Sequence, residues 1–341
     1  MIPMFDKRLI CAIAVLGFTT SLTGCYYTQA VRGQLEVMSK REPIDVVINA
    51  SDTSADLSRR LRLVKEARQF SVDELLLPDN DSYRSYADIE RDYVVWNVFA
   101  APEFSLEPKR WCFPVAGCVS YRGYFSQDAA DRKAGQLRDD GYDVAVGGVA
   151  AYSTLGKFSD PVLNTMMRWE DVDLIATIFH ELAHQVLYVK NDTEFNESFA
   201  TAVEEIAVER WLDSRAMESE LVNYRERRDL RVRLMALVEL ARLDLELIYA
   251  APTGEDEMRL QKKDRLASLQ GDMNDELVRA GREFPAGLSG GLNNARLASM
   301  SLYQGRLAEF RALLAACDDG LACFYDAARE LSELERSQAR D

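Results

Sequence analysis

The sequence predicts an α+β fold, predominantly helical, with a small mixed or antiparallel sheet placed before one chemically loaded helix and a helical C-terminal region. Three observations predict it. Residues 92–125 and 143–149 are rich in β-branched and aromatic side chains, the composition of strands. After Trp211 nearly every segment repeats apolar residues at helical spacing. Between these regions lies His180-Glu181-Leu182-Ala183-His184, which holds the only two histidines of the 341 residues.

The elements follow in order. Residues 1–24 read as a signal peptide: Lys7 and Arg8 precede a mostly apolar run, Leu9 to Leu22, too short to span a membrane. It ends in Leu22-Thr23-Gly24-Cys25, which resembles a bacterial lipobox. That resemblance implies that Cys25 is lipidated as the first mature residue and that the lipid anchors the chain to the membrane. Tyr26 is not the aspartate that holds some lipoproteins at the inner membrane, so the periplasmic side of the outer membrane is the implied location. Residues 25–90 form an N-terminal helical segment, with helices over 26–42, ended by Pro43, and 56–70. Residues 91–212 form the α+β core. In it, Tyr93 to Ala100, Trp111 to Val119 and Asp143 to Val149 read as strands, and Ser126 to Gly141 as a helix closed by glycine. Residues 213–341 are the helical C-terminal region, with helices expected over 227–249, 255–282, 293–314 and 326–334. The apolar stripe Leu230, Leu234, Leu237, Leu240, Ala241, Leu245 suits hairpin packing.

Composition excludes some functions. The net charge of −15 argues against nucleic-acid binding, which needs basic patches, and against a polybasic membrane contact. Apart from Cys11 and Cys25, the cysteines fall as Cys112/Cys118 and Cys317/Cys323. Two local disulfide loops suit an oxidising compartment, although four cysteines allow three pairings, and neither spacing matches the close-set ligand pairs of zinc sites.

The His-Glu-x-x-His run carries the chemistry. Residues four apart on a helix share a face, so both imidazoles reach one ion while Glu181 reaches a water on it. Two histidines placed at random would stand four apart in roughly 0.6% of arrangements. A catalytic Zn2+ needs a third protein ligand. Past a polar turn at 190–194, where Asp192 or Thr193 can cap a new helix, Glu197 stands where a returning antiparallel helix comes level with the histidines. Glu194, Glu204, Glu205 and Glu209 are its competitors. Glu204, two turns on along the same face, suits a hydrogen bond to a ligand histidine.

His-Glu-Leu-Ala-His-Gln followed by Asn-Glu-Ser-Phe-Ala (196–200) resembles the gluzincin metallopeptidases, most closely their large aminopeptidase branch. The resemblance implies His180, His184 and Glu197 as zinc ligands and Glu181 as general base. The interval from His184 to Glu197 is shorter than in that branch, and Ser198 stands in place of its glycine. Cys112 to Cys118, Tyr121 to Phe125 and Gly147 to Gly156 also resemble bacterial lipoproteins described as putative aminopeptidases. In gluzincins an edge strand before the zinc helix binds extended peptide, a role that falls here on Gly147, Gly148, Val149, Ala150 and Ala151. The glutamate with which the aminopeptidase branch binds a substrate's free amine is missing between Gly147 and Gly156. A tyrosine hydroxyl is expected to polarise the substrate carbonyl, with Tyr152 and Tyr303 favoured over Tyr121 and Tyr124. The expected activity is zinc-dependent peptide hydrolysis, as an aminopeptidase. An endopeptidase acting on cell-envelope peptides and a non-catalytic peptide-binding lipoprotein are the alternatives.

Overall fold

The computed structural model describes residues 26–113, 117–284, 291–301 and 305–338. It opens on helix α1 (26–39), which stops before β1 (Arg41–Pro43). Pro43 then starts the short α2 (Ile44–Asn49), a position where its missing N–H costs nothing. Helix α3 (Ala55–Asp73) begins at Ser54, whose hydroxyl accepts the Leu57 N–H. Strand β2 (Ser85–Ala87) follows.

The functional sheet is built around β3 (Val95–Pro102). A hairpin, β4 (Trp111–Phe113) with β5 (Gly117–Val119), leads to β6 (Arg122–Tyr124). Helix α4 (Gln127–Asp139) then returns the chain to β7 (Tyr142–Val149). The order is β6-β3-β7, antiparallel throughout, with Asn97 opposite both Gly123 and Gly147. Alternation sends Val98, Ala100, Tyr124 and Val144 against Ala130, Ala134 and Leu137 of α4. The other face carries Val95 and Asn97. A separate three-stranded sheet sets β2 between β1, antiparallel, and β8 (Val162–Leu163), parallel. The sheets are therefore small and of both kinds, as the composition predicts.

The rest of the described chain is helical: α5 (Asp171–Val186), α6 (Thr193–Ser214), α7 (Glu218–Ala250), α8 (Glu255–Arg279), α9 (Asn294–Ser301), α10 (Leu307–Ala316) and α11 (Leu321–Gln338). One large core joins residues from Val37 to Ala328, so N-terminal, central and C-terminal segments all contribute to it. Phe199 stacks on Phe324 and lies edge-on to Phe310, and the Tyr325 hydroxyl donates to the Leu75 carbonyl at 2.9 Å. The α7–α8 hairpin has a smaller core of its own with Leu106 and Leu297.

Several helices depart from the expected spans. α1 stops at residue 39, so that residues 41 and 42, expected as its end, belong to β1, and α11 begins at Leu321 rather than Asp326. α7 starts at Glu218 rather than Arg227, because apolar periodicity is weak in its polar first turns. Residues 293–314, expected as one helix, hold two, α9 and α10. Gly305 lies between them, where a Cβ would come within 1.6 Å of the Glu194 carboxylate. That approach is a tertiary contact which helical spacing cannot register. Both cysteine pairs form local disulfides, Cys112–Cys118 across the β4–β5 hairpin and Cys317–Cys323 between α10 and α11.

Candidate metal centre

Helix α5 is hydrophobic enough to be buried for most of its length, from Leu174 to Ala183, and this carries His180, Glu181 and His184 into the interior. Asp171 and Asp173 in its first turn complement the helix dipole. It ends at Val186, only two residues past His184. The reversal that follows is fixed by side chains. Asn196, buried, accepts from the Val189 N–H at 2.7 Å and donates to the Val189 carbonyl at 2.8 Å. Asp192 caps α6 by accepting the Phe195 N–H at 2.9 Å. Asn191, with a left-handed φ of 73°, accepts from Cys118 N–H at 2.8 Å and so ties the disulfide hairpin to this turn. Glu197 is thereby held one turn into α6, facing α5.

The donor atoms of His180, His184 and Glu197 all lie within 4.8 Å of one another. Glu197 Oε2 is 3.3 Å from His180 Nε2 and 3.8 Å from His184 Nε2. Ligands of one tetrahedral zinc lie about 3.3–3.4 Å apart, given bonds of about 2.0–2.1 Å, so the two imidazoles and the carboxylate are of the kind and near the spacing that could hold such an ion. Glu204 Oε2 sits 3.1 Å from His180 Nδ1. Both ring nitrogens of His180 face carboxylates, so a neutral ring that donates Nδ1–H to Glu204 leaves its Nε2 lone pair available to a cation placed before Glu197.

The electrostatics follow from burial. Burial alone would discharge His180, but hydrogen bonds to Glu197 and Glu204 outweigh it and hold its pKa well above the ordinary value. His184, buried without such a bond, is pushed down to about 4 by burial, with His180 adding to the effect and Glu197 opposing it. It stays neutral, as a ligand must. Burial raises the Glu181 carboxyl to about 7; His180 opposes this, while Glu197, Asp160 and Glu204 add to it. A carboxyl poised near neutrality suits proton exchange.

These groups open on a cleft of about 470 Å³. Its walls are helices α5 and α6, the Val95–Asn97 face of the sheet with Gly123, Ala151 to Ser153 with Leu155, and α1 through Tyr26, Ala30 and Gln34. A scan against family models matches residues 25–341 to a family described as Putative aminopeptidase. The chain belongs to that family. No curated protein and no solved structure matches it. The family description suggests peptidase activity for this aminopeptidase-family chain, and the remaining site residues can be sorted with that in view.

Of the expected peptide-binding residues, Val149 and Ala151 line the cleft, whereas Gly147, Gly148 and Ala150 do not. Gly147 and Gly148 lie on β7, an edge of its sheet. Gly148 has no room for a side chain because the Tyr93 ring occupies that space, and the Ala150 carbonyl accepts from Thr165 Oγ1. Tyr152 lines the cleft, but its hydroxyl donates to Gln34 Oε1. Tyr303 and Cys25 lie outside the described residues. Tyr121 and Tyr188 line the cleft, where burial first, and then the Glu197 charge, raises both hydroxyl pKa values.

The competing acids are otherwise engaged. Glu205 takes a two-pronged bond from Arg311, Glu209 is held by Arg225 and Arg228, and the Glu194 carboxylate lies against Gly305. Sequence reasoning missed Tyr188, Asn97, Gly123 and the α1 residues. Tyr188 alone left a trace, since it continues the four-residue spacing of His180 and His184.

Proposed function

We propose that the chain is a zinc-dependent peptidase in which His180, His184 and Glu197 hold the metal and Glu181 is the general base. The observation that carries this reading is the convergence of three metal-binding donor atoms within 4.8 Å, beside a buried carboxyl, at one end of an open cleft. When bound, zinc supplies a Lewis acid that acidifies a water and polarises a carbonyl. Glu181 takes a proton from the water as its oxygen adds to the scissile carbonyl carbon. It then gives that proton to the amine nitrogen as the C–N bond breaks. Tyr121 or Tyr188 donates a hydrogen bond to the carbonyl oxygen as it gathers charge. Glu204 holds the His180 ring in the tautomer that keeps Nε2 free.

Aminopeptidase action is the reading the family description favours. One observation favours an endopeptidase acting on cell-envelope peptides instead. Among the described residues lining the cleft, the only carboxylates are Glu181 and Glu197, and neither is spare to bind a substrate ammonium. The lipobox resemblance supports anchoring through Cys25 on the periplasmic side of the outer membrane.

The test is a fluorogenic peptide panel offered with free and with blocked N-termini to the zinc-loaded protein, beside Glu181→Gln. Cleavage of free N-termini alone, lost in the variant, supports the aminopeptidase. Cleavage of blocked peptides makes it an endopeptidase. Zinc binding with no cleavage at all would leave a peptide-binding lipoprotein.

A further inference from the structure

Helix α1 has two faces with different demands. Its inner face is fitted closely to the cleft. A Cβ on Gly33 would fall 2.1 Å from the Phe125 ring, so only glycine allows the helix this near the sheet. Gln29 accepts the Phe125 N–H at 3.0 Å, and Gln34 accepts from Tyr152. The Tyr26 ring lies between the Arg122 guanidinium, 4.0 Å from its centroid, and a stacked Phe113. Tyr26, Ala30 and Gln34 thus form a wall of the cleft.

The outer face leaves Tyr27, Val31 and Leu35 exposed at 43%, 59% and 63%. These stand four apart, a single apolar stripe about 12 Å long at the standard helical rise. Water is a poor partner for it. Arg32, also exposed, lies beside the stripe and has no carboxylate partner among the described residues. An apolar stripe edged by a cation is the pattern of a helix lying in a membrane interface.

We propose that the outer face of α1 lies in the headgroup region of the bilayer, so that one helix is at once the membrane contact and a wall of the cleft. Position decides the occupant: the stripe begins two residues after Cys25, the expected acylation site, so acyl chains inserted there bring this face to the lipid. Among the described residues no helix is long and apolar enough to cross a membrane, and the contact is therefore interfacial. It relies on apolar area and one cation rather than a basic cluster, in keeping with the acidic composition. On the peptidase reading above, the substrates are peptide segments presented about one helix diameter, roughly 10 Å, from the bilayer surface.

The full-length protein, expressed with its acyl anchor, is reconstituted in phosphatidylethanolamine–phosphatidylglycerol vesicles as Leu35→Cys or Leu247→Cys. Each is labelled with an environment-sensitive fluorophore. Leu247 is 72% exposed on α7, away from the cleft, and controls for insertion driven by the label. Brominated acyl chains are expected to quench the label at 35 by about half or more and the label at 247 by less than about a tenth. This readout needs no substrate, so it decides the proposal even if nothing is hydrolysed. Failure to float with vesicles, or equal quenching at both positions, overturns it. So does a crosslinked dimer through position 35, which would give the face to a second copy. Val31→Ser/Leu35→Ser, at exposed positions outside the cleft, is expected to lower hydrolysis of a bilayer-tethered peptide severalfold and leave a soluble peptide unaffected. Equal effects on both would overturn the link between contact and cleft.

Discussion

The protein contains two antiparallel helix pairs that solve opposite problems. In α5–α6 the shared surface is buried, and it encloses two imidazoles and two carboxylates among Phe179, Leu182, Phe195 and Phe199. In α7–α8 a longer pair buries a narrow seam centred on Val238, Ala241, Leu245 and Leu269. That pair leaves Leu240, Leu243 and Leu247 exposed and joins its outer edges by bridges such as Arg265–Asp244 at 2.7 Å. The difference teaches that length and regularity do not mark the working part of a helical protein. Polar groups are useful where surrounding apolar mass makes their charge states depend on one another.

The largest effect that would sharpen this contrast is catalytic. Glu181→Gln is expected to cut hydrolysis by about 10³-fold or more while zinc stoichiometry, measured by metal analysis, and thermal stability stay near wild type. A variant that retains activity would remove the proton-transfer role from the buried pair. The next is structural. Phe199→Ala in the α6 core should cost about 3–5 kcal/mol in denaturant unfolding, because three rings pack on it.

A pH effect comes third. Asp160 is buried, and burial lifts its carboxyl from 3.8 to about 6 against the hydrogen bonds of Thr154. The folded chain then holds this proton more tightly than the unfolded chain. Its contribution is complete below about pH 4 and lost as pH rises through about 6. Relative to Asp160→Asn, which does not titrate, wild-type stability should fall by up to about 3 kcal/mol across that window and stay level above it. A difference that rises with pH would reverse the assignment.

Glu204→Ala should weaken zinc binding by about 10–100-fold in a chelator competition, since it frees the His180 ring. Smallest of all, Leu247→Ser on the exposed flank of α7 should move unfolding by no more than about 0.5 kcal/mol. A large loss there would mean that this flank is covered, and the contrast between the helix pairs would fail.

Much of this was legible in the residues themselves. The cap at Asp192 and the meeting of His180, His184 and Glu197 were readable because a helix imposes a fixed spacing and a polar turn marks where the chain returns. The two long strands β3 and β7 and the two disulfide loops were readable from composition and local proximity. Residues 111–119, expected as one strand, hold the β4–β5 hairpin, and β1, β2, β6 and β8 are too short to show a pattern. The partner of Tyr152 was not readable: its hydroxyl donates to Gln34, 118 residues away on α1, and the Glu197 charge acts on Tyr121, which is also remote from α6 in the chain. Nor could helical spacing reveal the break between α9 and α10 or the close approach of Glu194 to Gly305.

The sequence by itself determined the fold class and the meeting of His180, Glu181, His184 and Glu197, because these depend on contacts within one helix or across one short turn. Only the tertiary structure decided which walls close the cleft. Tyr26, Ala30 and Gln34 meet Gly123 and Tyr188 there from residues far apart in the chain. Such meetings are set by how amphipathic faces share one core, and a local pattern specifies which face is apolar but not which partner will cover it.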